Sequence, residues 1–274
     1  MNIVRVARLL AMMITVAVKD RRWKAIHQVA DRARPRMKKV MLAAFKAGRS
    51  TIDRDDLETA LELKDEVGVL SIMATAITAF ENHARFPLRD ILFETMAASG
   101  HAAAKMLRSQ LLRAAADGPT IKGWAFDVTN PRATEWARAH ALELIDTMKK
   151  SDREAIRDLI EAAFEDQFDV DELADRITDV IGNADRAEVI ARTETMRASN
   201  QGQIEAWDQA LEAGLITGEE KKEWIVTPDD RLCPICEPLD GKTVALSEGF
   251  DVDGDEIDGP PAHPNCRCTI GLSL

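Results

Sequence analysis

All four cysteines of this 274-residue chain lie in its last 42 residues, as Cys233-x2-Cys236 and Cys266-x-Cys268, with His263 three positions ahead of the second pair. A Cys-x2-Cys pair turns its chain so that two sulfurs face one point, and a second Cys/His group about thirty residues later can complete a tetrahedron. Two separate loops must therefore meet, which closes the intervening chain into a small unit. Three chemistries can tie them. One is a structural metal, zinc first, held by Cys233, Cys236 and two of His263, Cys266 and Cys268. The others are two disulfides, which a reducing cytoplasm disfavours, or reduced and buried thiols. A catalytic zinc needs an open position and a nearby base, and nothing here marks either. A thioredoxin-like role needs a βαβ context, which the turn residues Asp229, Asp230 and Pro238 do not supply. The cluster reads as a structural staple with zinc as its cofactor.

The chain around the staple has a mixed texture. Residues 223–227, 242–246 and 268–272 are short β-favouring runs set among proline, glycine and aspartate. The rest of the chain reads as helix. Aromatics make up only 5% and tyrosine is absent, which argues against a β-sandwich or barrel. Helical stretches are expected at 3–33, 36–48, 65–84 and 88–116, divided by Pro35, the 48–56 stretch and Pro87. Asn130-Pro131 opens another to about Lys149, and Ser151-Asp152-Arg153-Glu154 is a capping box for the next. Two more follow over 171–181 and 185–213, closed by Gly182-Asn183 and by Gly214. The expected fold is mainly α: a helical N-terminal body with a small C-terminal α+β module stapled by a Cys/His cluster.

Charge divides the chain further. Residues 1–50 hold 13 lysines and arginines against Asp20 and Asp31, a balance of +11, whereas the whole chain is −11. The remainder is therefore −22. Division along the chain then gives a basic helical head over 1–50, a helical body over 51–184 and the α+β module over 185–274. In the head, Arg5, Arg8, Lys19, Arg21, Arg22, Lys24, Arg32, Arg34, Arg36, Lys38 and Lys39 surround apolar positions and Trp23. So few acids among so many cations point to contact with an anionic surface, through phosphate and without base reading if that surface is nucleic acid. The apolar run from Leu9 to Val18 is too short to span a bilayer and lacks a small-residue cleavage site, so a soluble, cytoplasmic protein is expected.

Three other features invite chemistry. On the last long helix, Ala187, Ile190, Ala191, Glu194 and Ala198 share a stripe, which places the Glu194 carboxylate on an apolar face. Such a group must be paired. Arg231, beside Cys233, is the expected partner in a structural ion pair, with a catalytic glutamate as the rival reading. Residues 251–256 evoke a calcium loop, but Glu256 stands where glycine is required and Ala262 where glutamate is, leaving a solvated acidic loop. His27, His83, His101 and His140 are scattered without triad spacing and read as ordinary histidines.

The C-terminal third also carries an ordered motif. Arg192-Thr193-Glu194, then Ala198, Asn200 and Gly202, then Trp224, Asp229, Arg231, Cys233-x2-Cys236 and Asp240-Gly241 lead to Pro260-Pro261-x-His263-Pro264-Asn265-Cys266-Arg267-Cys268. Together these resemble the signature of the phage Mu F-like minor head proteins, the phage head morphogenesis family. The resemblance implies a non-enzymatic minor capsid protein of a tailed phage or prophage, found in the capsid interior of the virion and in host cytoplasm during assembly. It implies association with the portal protein and other capsid proteins, help in procapsid assembly, and handling of packaged DNA, with no membrane partner. Metal binding is not part of what it implies. The alternative is a toxin-like transferase or hydrolase centred on Glu194 and the Cys/His site. A stand-alone DNA-binding protein is a weaker third reading, opposed by the acidic body.

Overall fold

The computed structural model describes residues 3–113, 121, 123–165, 170–229 and 233–274, with the side chains of 3–20 and 163–165 outside that description. The fold is mainly helical with a small C-terminal strand module, as the sequence leads one to expect. Helix α1 runs Ile3–Arg49, α2 Arg54–Glu62, α3 Glu66–Arg113, α4 Pro131–Glu165, α5 Val170–Val180 and α6 Ala184–Glu212. Among the described residues no helix is long and apolar enough to cross a membrane.

Several helix boundaries differ from those read along the sequence. Pro35 and Pro87 lie inside α1 and α3, and Ser151 lies inside α4. Each proline costs one backbone hydrogen bond, on the order of 3 kcal/mol in a helix interior. The apolar rows continue on both sides: Ala30, Ala33, Met37 and Met41 around Pro35, and Ala84, Leu88, Ile91 and Leu92 around Pro87 are all buried. Burying two further turns of such side chains outweighs the lost bond. In α4, Met148, Asp152, Ile156 and Ile160 are buried at four-residue spacing, so packing carries the helix straight through the capping box. The 48–56 stretch, expected as a break, holds the start of α2, with Asp53 accepting from the amides of Asp55 and Asp56. Asn130 and Asn183 act as caps, accepting from Arg132 N and from Asp185 N and Arg186 N.

By contact the chain divides into two compact units. One comprises Pro35–Leu92 and Glu135–Ala191, and the other Met1–Arg34, Phe93–Thr134 and Arg192–Leu274. The units are thus assembled from alternating stretches of chain.

The first unit is helical throughout. Phe45 and Phe80 stack with centroids 5.5 Å apart, among buried Met41, Met73, Ile77, Ile156 and Ile177. Ion pairs tie its helices: Arg186 to Asp152 at 2.6 Å, Lys149 to Glu81 at 2.8 Å, and Arg54 to Glu58 and Asp175.

The second unit holds the strands. β1 (Lys221–Ile225), β2 (Thr243–Ala245) and β5 (Thr269–Ser273) form an antiparallel sheet in the order β2-β1-β5, with Trp224 opposite Ile270 and Ile225 opposite Thr269. β3 (Phe250–Val252) and β4 (Asp255–Ile257) form a separate hairpin. The acidic 251–256 segment is therefore this hairpin and not a loop. Its two-residue turn has φ of 55° at Asp253 and 94° at Gly254, a geometry that favours an Asp-Gly pair. The core joins Trp207 and Ala210 of α6 to Trp224, Phe250, Ile270, Leu272 and the three cysteines Cys236, Cys266 and Cys268. Helix α6 lies directly on α3. A Cβ at Gly202 would fall 2.1 Å from the Met96 carbonyl oxygen, so only glycine permits that approach.

Candidate metal centre

Antiparallel pairing explains why the two cysteine groups meet. The chain leaves β1 at Ile225 and enters β5 at Thr269, which are register partners, so the loops beyond β1 and before β5 share one end of the sheet. The first loop is a tight turn in which the Cys233 carbonyl accepts from Cys236 N at 3.1 Å and Glu237 N at 3.0 Å. A single 3-10 turn, Glu237–Leu239, follows. The second loop turns at Asn265, whose φ is 64°, and the Cys266 amide donates to the His263 carbonyl at 3.1 Å. Asn265 N also donates to Thr193 Oγ1 at 3.0 Å, which fixes the loop to α6.

Side chains from both loops converge. His263 Nε2 lies 2.9 Å from Cys233 Sγ and 3.2 Å from Cys236 Sγ, and Cys236 Sγ lies 3.7 Å from Cys266 Sγ. Two triplets, Cys233–Cys236–His263 and Cys236–Cys266–Cys268, each hold their donor atoms within 4.8 Å of one another, with Cys236 common to both. All four thiols are free. The cluster can hold a metal ion. Two sulfurs on one tetrahedral zinc, each at about 2.3 Å, stand about 3.8 Å apart. The Cys236–Cys266 separation of 3.7 Å matches that spacing. A nitrogen and a sulfur on the same ion stand about 3.5 Å apart, so the two imidazole contacts would lengthen by a few tenths of an ångström on loading.

The surroundings suit ligation. His263 Nδ1–H donates to the Pro264 carbonyl at 2.8 Å, leaving Nε2 with its lone pair toward the sulfurs, the orientation a metal-binding imidazole requires. The Cys266 sulfur accepts from the thiols of Cys236 and Cys268, which drives it well below the ordinary thiol range. Those same bonds and burial push the Cys236 thiol up. Cys233 and His263 form the half-exposed rim, and Cys236, Cys266 and Cys268 the buried floor.

A polar rail on α6 supports the floor from below. Asn200 Nδ2 donates to the Pro260 carbonyl at 2.9 Å, and its Oδ1 accepts from Thr269 Oγ1 at 2.7 Å and from Ile270 N at 3.3 Å. Gln203 Nε2 donates to Thr269 Oγ1 at 2.9 Å and to Asn200 Oδ1 at 3.2 Å. All three side chains are buried, and their mutual bonds satisfy atoms that would otherwise be costly there. Asn200 stands in the motif described above, but nothing in the spacing gave it this role; Gln203 stands in no motif, and Thr269 is marked only as part of a β-favouring run.

Glu194 is buried and pairs with Arg197 Nε at 3.4 Å on its own helix. Arg231, the partner expected from sequence, lies outside the described residues. The basic head is divided in its placement. Arg22 pairs with Glu223 at 2.9 Å, Arg34 with Asp31 at 3.1 Å and Lys38 with Glu188 at 3.0 Å. Arg21, Lys24, Arg32, Arg36 and Lys39 are exposed, and the side chains of Arg5, Arg8 and Lys19 lie outside the description. One histidine read as ordinary proves otherwise: His27 Nε2 lies 2.7 Å from the carbonyl of Arg267, between two cysteines of the cluster.

Comparison with known proteins agrees with the motif. Residues 154–271, from the second half of α4 into β5, match the family described as Phage Mu protein F like protein. A curated relative, NAD(+)--arginine ADP-ribosyltransferase EFV of Enterococcus faecalis (strain ATCC 700802 / V583), is 34% identical over 86 residues. That match covers 29% of this chain and only 17% of the relative. No solved structure matches.

Proposed function

We propose that this chain, a phage Mu F-like protein over residues 154–271, is a minor capsid component of a tailed phage or prophage that acts at the portal vertex during head assembly. The observation that carries the reading is that the family match takes in α6, almost the whole sheet and every donor of the Cys/His cluster. In this reading Cys233, Cys236, His263 and Cys266 hold one structural zinc, with Cys268 as a buried neighbour that completes the sulfur floor. The zinc would close two loops whose apolar support is small and would so fix a rigid surface for capsid partners.

The exposed cations of the head, Arg21, Lys24, Arg32, Arg36 and Lys39, supply the contact with an acidic portal surface or with DNA phosphate. Removing residues 1–50 is a poor test of this, because Ile26, Met37, Met41 and Phe45 are core. Reversing Arg21, Arg32 and Lys39 to glutamate leaves the core intact. The full-length protein should co-sediment with portal-containing procapsids, and the triple reversal should weaken that association in a salt-dependent way. Absence of the protein from procapsids and virions alike would overturn the reading.

A second reading follows from the 34% match to a relative named as an arginine ADP-ribosyltransferase. It would place chemistry at Glu194, whose burial beside Arg197 instead favours a structural pair. Incubation with NAD and arginine-rich protein decides it: nicotinamide release lost in Glu194→Gln would establish the enzyme.

A further inference from the structure

We propose that residues Arg22–His27 of α1 form the outer shell of the metal site, so that metal binding and docking of the N-terminal helix are a single linked equilibrium. The proposal rests on the zinc reading above and extends it to the opposite end of the chain.

The focus is one backbone oxygen. The Arg267 carbonyl lies between Cys266 and Cys268, and three donors converge on it: His27 Nε2 at 2.7 Å, Thr227 Oγ1 at 3.0 Å and Trp23 Nε1 at 3.2 Å. A carbonyl has two lone pairs, so three donors leave it no freedom to turn. Fixing that oxygen fixes the peptide plane joining Arg267 to Cys268, and with it the direction in which the flanking sulfurs point. Thr227 comes from the chain just after β1, but Trp23 and His27 come from α1, about 240 residues away along the chain. Their rings stack with centroids 3.8 Å apart and present both N–H groups as one rigid plate. His27 is buried, and burial lowers its pKa, which keeps the ring neutral.

A second contact lies one turn earlier and is independent of the carbonyl. Arg22 Nη1 donates to the Leu272 carbonyl at 3.1 Å, and Nη2 pairs with Glu223 at 2.9 Å, joining α1 to β5 and β1. The sheet makes room for this guanidinium: a Cβ at Gly271 would fall 2.6 Å from Arg22 Nη1. Both partners of the ion pair are nearly buried, at 12% and 14% exposure, so this is a docked interface and not a solvated surface contact.

The consequence is thermodynamic. The plate seats on the backbone of the knuckle, and a bound metal would hold that knuckle closed. Whatever factor docking contributes to metal affinity, metal must return to docking. Trp23, His27 and Arg22 are thus positioning residues for the site, and the basic helix is held in place by the metal at the other end of the sequence.

The test uses the full chain. Hydrogen exchange of residues 21–30, with zinc bound and after chelation, should show protection lost by at least about tenfold on chelation. Zinc stoichiometry by elemental analysis and affinity by competition with a chromophoric chelator are measured on the same protein. Trp23→Phe with His27→Ala should still bind one zinc but about tenfold more weakly, the loss of a buried hydrogen bond or more. His27→Gln, which keeps a donor, should recover part of that loss. Unchanged zinc affinity in the double variant, or exchange at 21–30 indifferent to chelation, overturns the linkage while leaving the zinc reading intact. A wild-type protein that takes up no zinc overturns both, and the elemental analysis alone identifies that case. The exchange measurement needs no variant, so a double variant that fails to fold leaves the decision to it.

Discussion

The two units of this protein are held together in different ways. In the all-helical unit, cohesion is spread over many interchangeable apolar side chains, and the ion pairs between Arg54 and Asp175, or Lys149 and Glu81, sit on its exposed or half-exposed surface. In the strand-bearing unit, order around the cluster depends on a few atoms with no substitutes: the donors of the Cys/His cluster, and Asn200 Oδ1 and the Arg267 carbonyl with three bonds each. Distributed burial degrades gradually as side chains are trimmed, whereas a point contact fails at once. The lesson is that the two halves should respond to different perturbations, and experiments can press on that contrast.

The largest effect is expected from the cluster. Chelation, or Cys236→Ser, should abolish binding of one zinc per chain and loosen the sheet end, a loss on the order of 10 kcal/mol of metal-linked free energy. Near-ultraviolet circular dichroism around Trp224 should collapse while the far-ultraviolet helical signal persists. Equal loss of both signals would show that the units do not differ in this way. Next, Phe45→Ala in the helical unit should cost about 3 to 5 kcal/mol, since the ring is fully buried against Phe80. Denaturant titration measures it, and zinc content should be unchanged. A drop in zinc would mean that the contrast is weaker than drawn.

Asn200→Ala comes third, at about 2 to 4 kcal/mol, because it strands the Ile270 amide and the Thr269 hydroxyl in a buried setting. Zinc affinity should fall with stability here, and Asn200→Leu should do no better, because the missing element is a hydrogen bond and not volume. The smallest effect concerns Asp152. Burial raises its pKa, and the Arg186 pair opposes that shift only in part. With the folded value above the unfolded one, the native state binds more protons in the interval between them, so stability falls as pH rises from about 4 through the folded value. Asp152→Asn should flatten that slope by about 1 kcal/mol or less, read from unfolding midpoints across pH 4 to 7. An unaltered slope would place the titration elsewhere.

Much of the fold was legible in advance where the signal is local. Asn130 and Asn183 mark helix starts because a short polar side chain can satisfy amides two and three residues on. The cysteine spacing announced that two loops meet. Other features were hidden because they depend on what lies across the interface. Pro35, Pro87 and the Ser151 capping box are local stop signals that continuous buried rows override. A hydrophilic 251–256 stretch gives no hint of pairing, since both strands of its hairpin face solvent over much of their length. His27 sits on a helix among ordinary residues, and its partner is 240 positions away.

The sequence by itself determined the fold class, the helical body, the basic head and acidic remainder, the meeting of the two cysteine loops and the likeness to phage Mu F-like proteins. These are properties of composition, local pattern and ordered motif, which survive without knowledge of the fold. Tertiary structure alone decided that the compact units interleave along the chain, that Asn200 and Gln203 carry the floor of the site, and that α1 reaches back to the Arg267 carbonyl. Those are pairings between distant residues. A lone asparagine, histidine or tryptophan has many possible hydrogen-bond partners, and only the packed chain selects one.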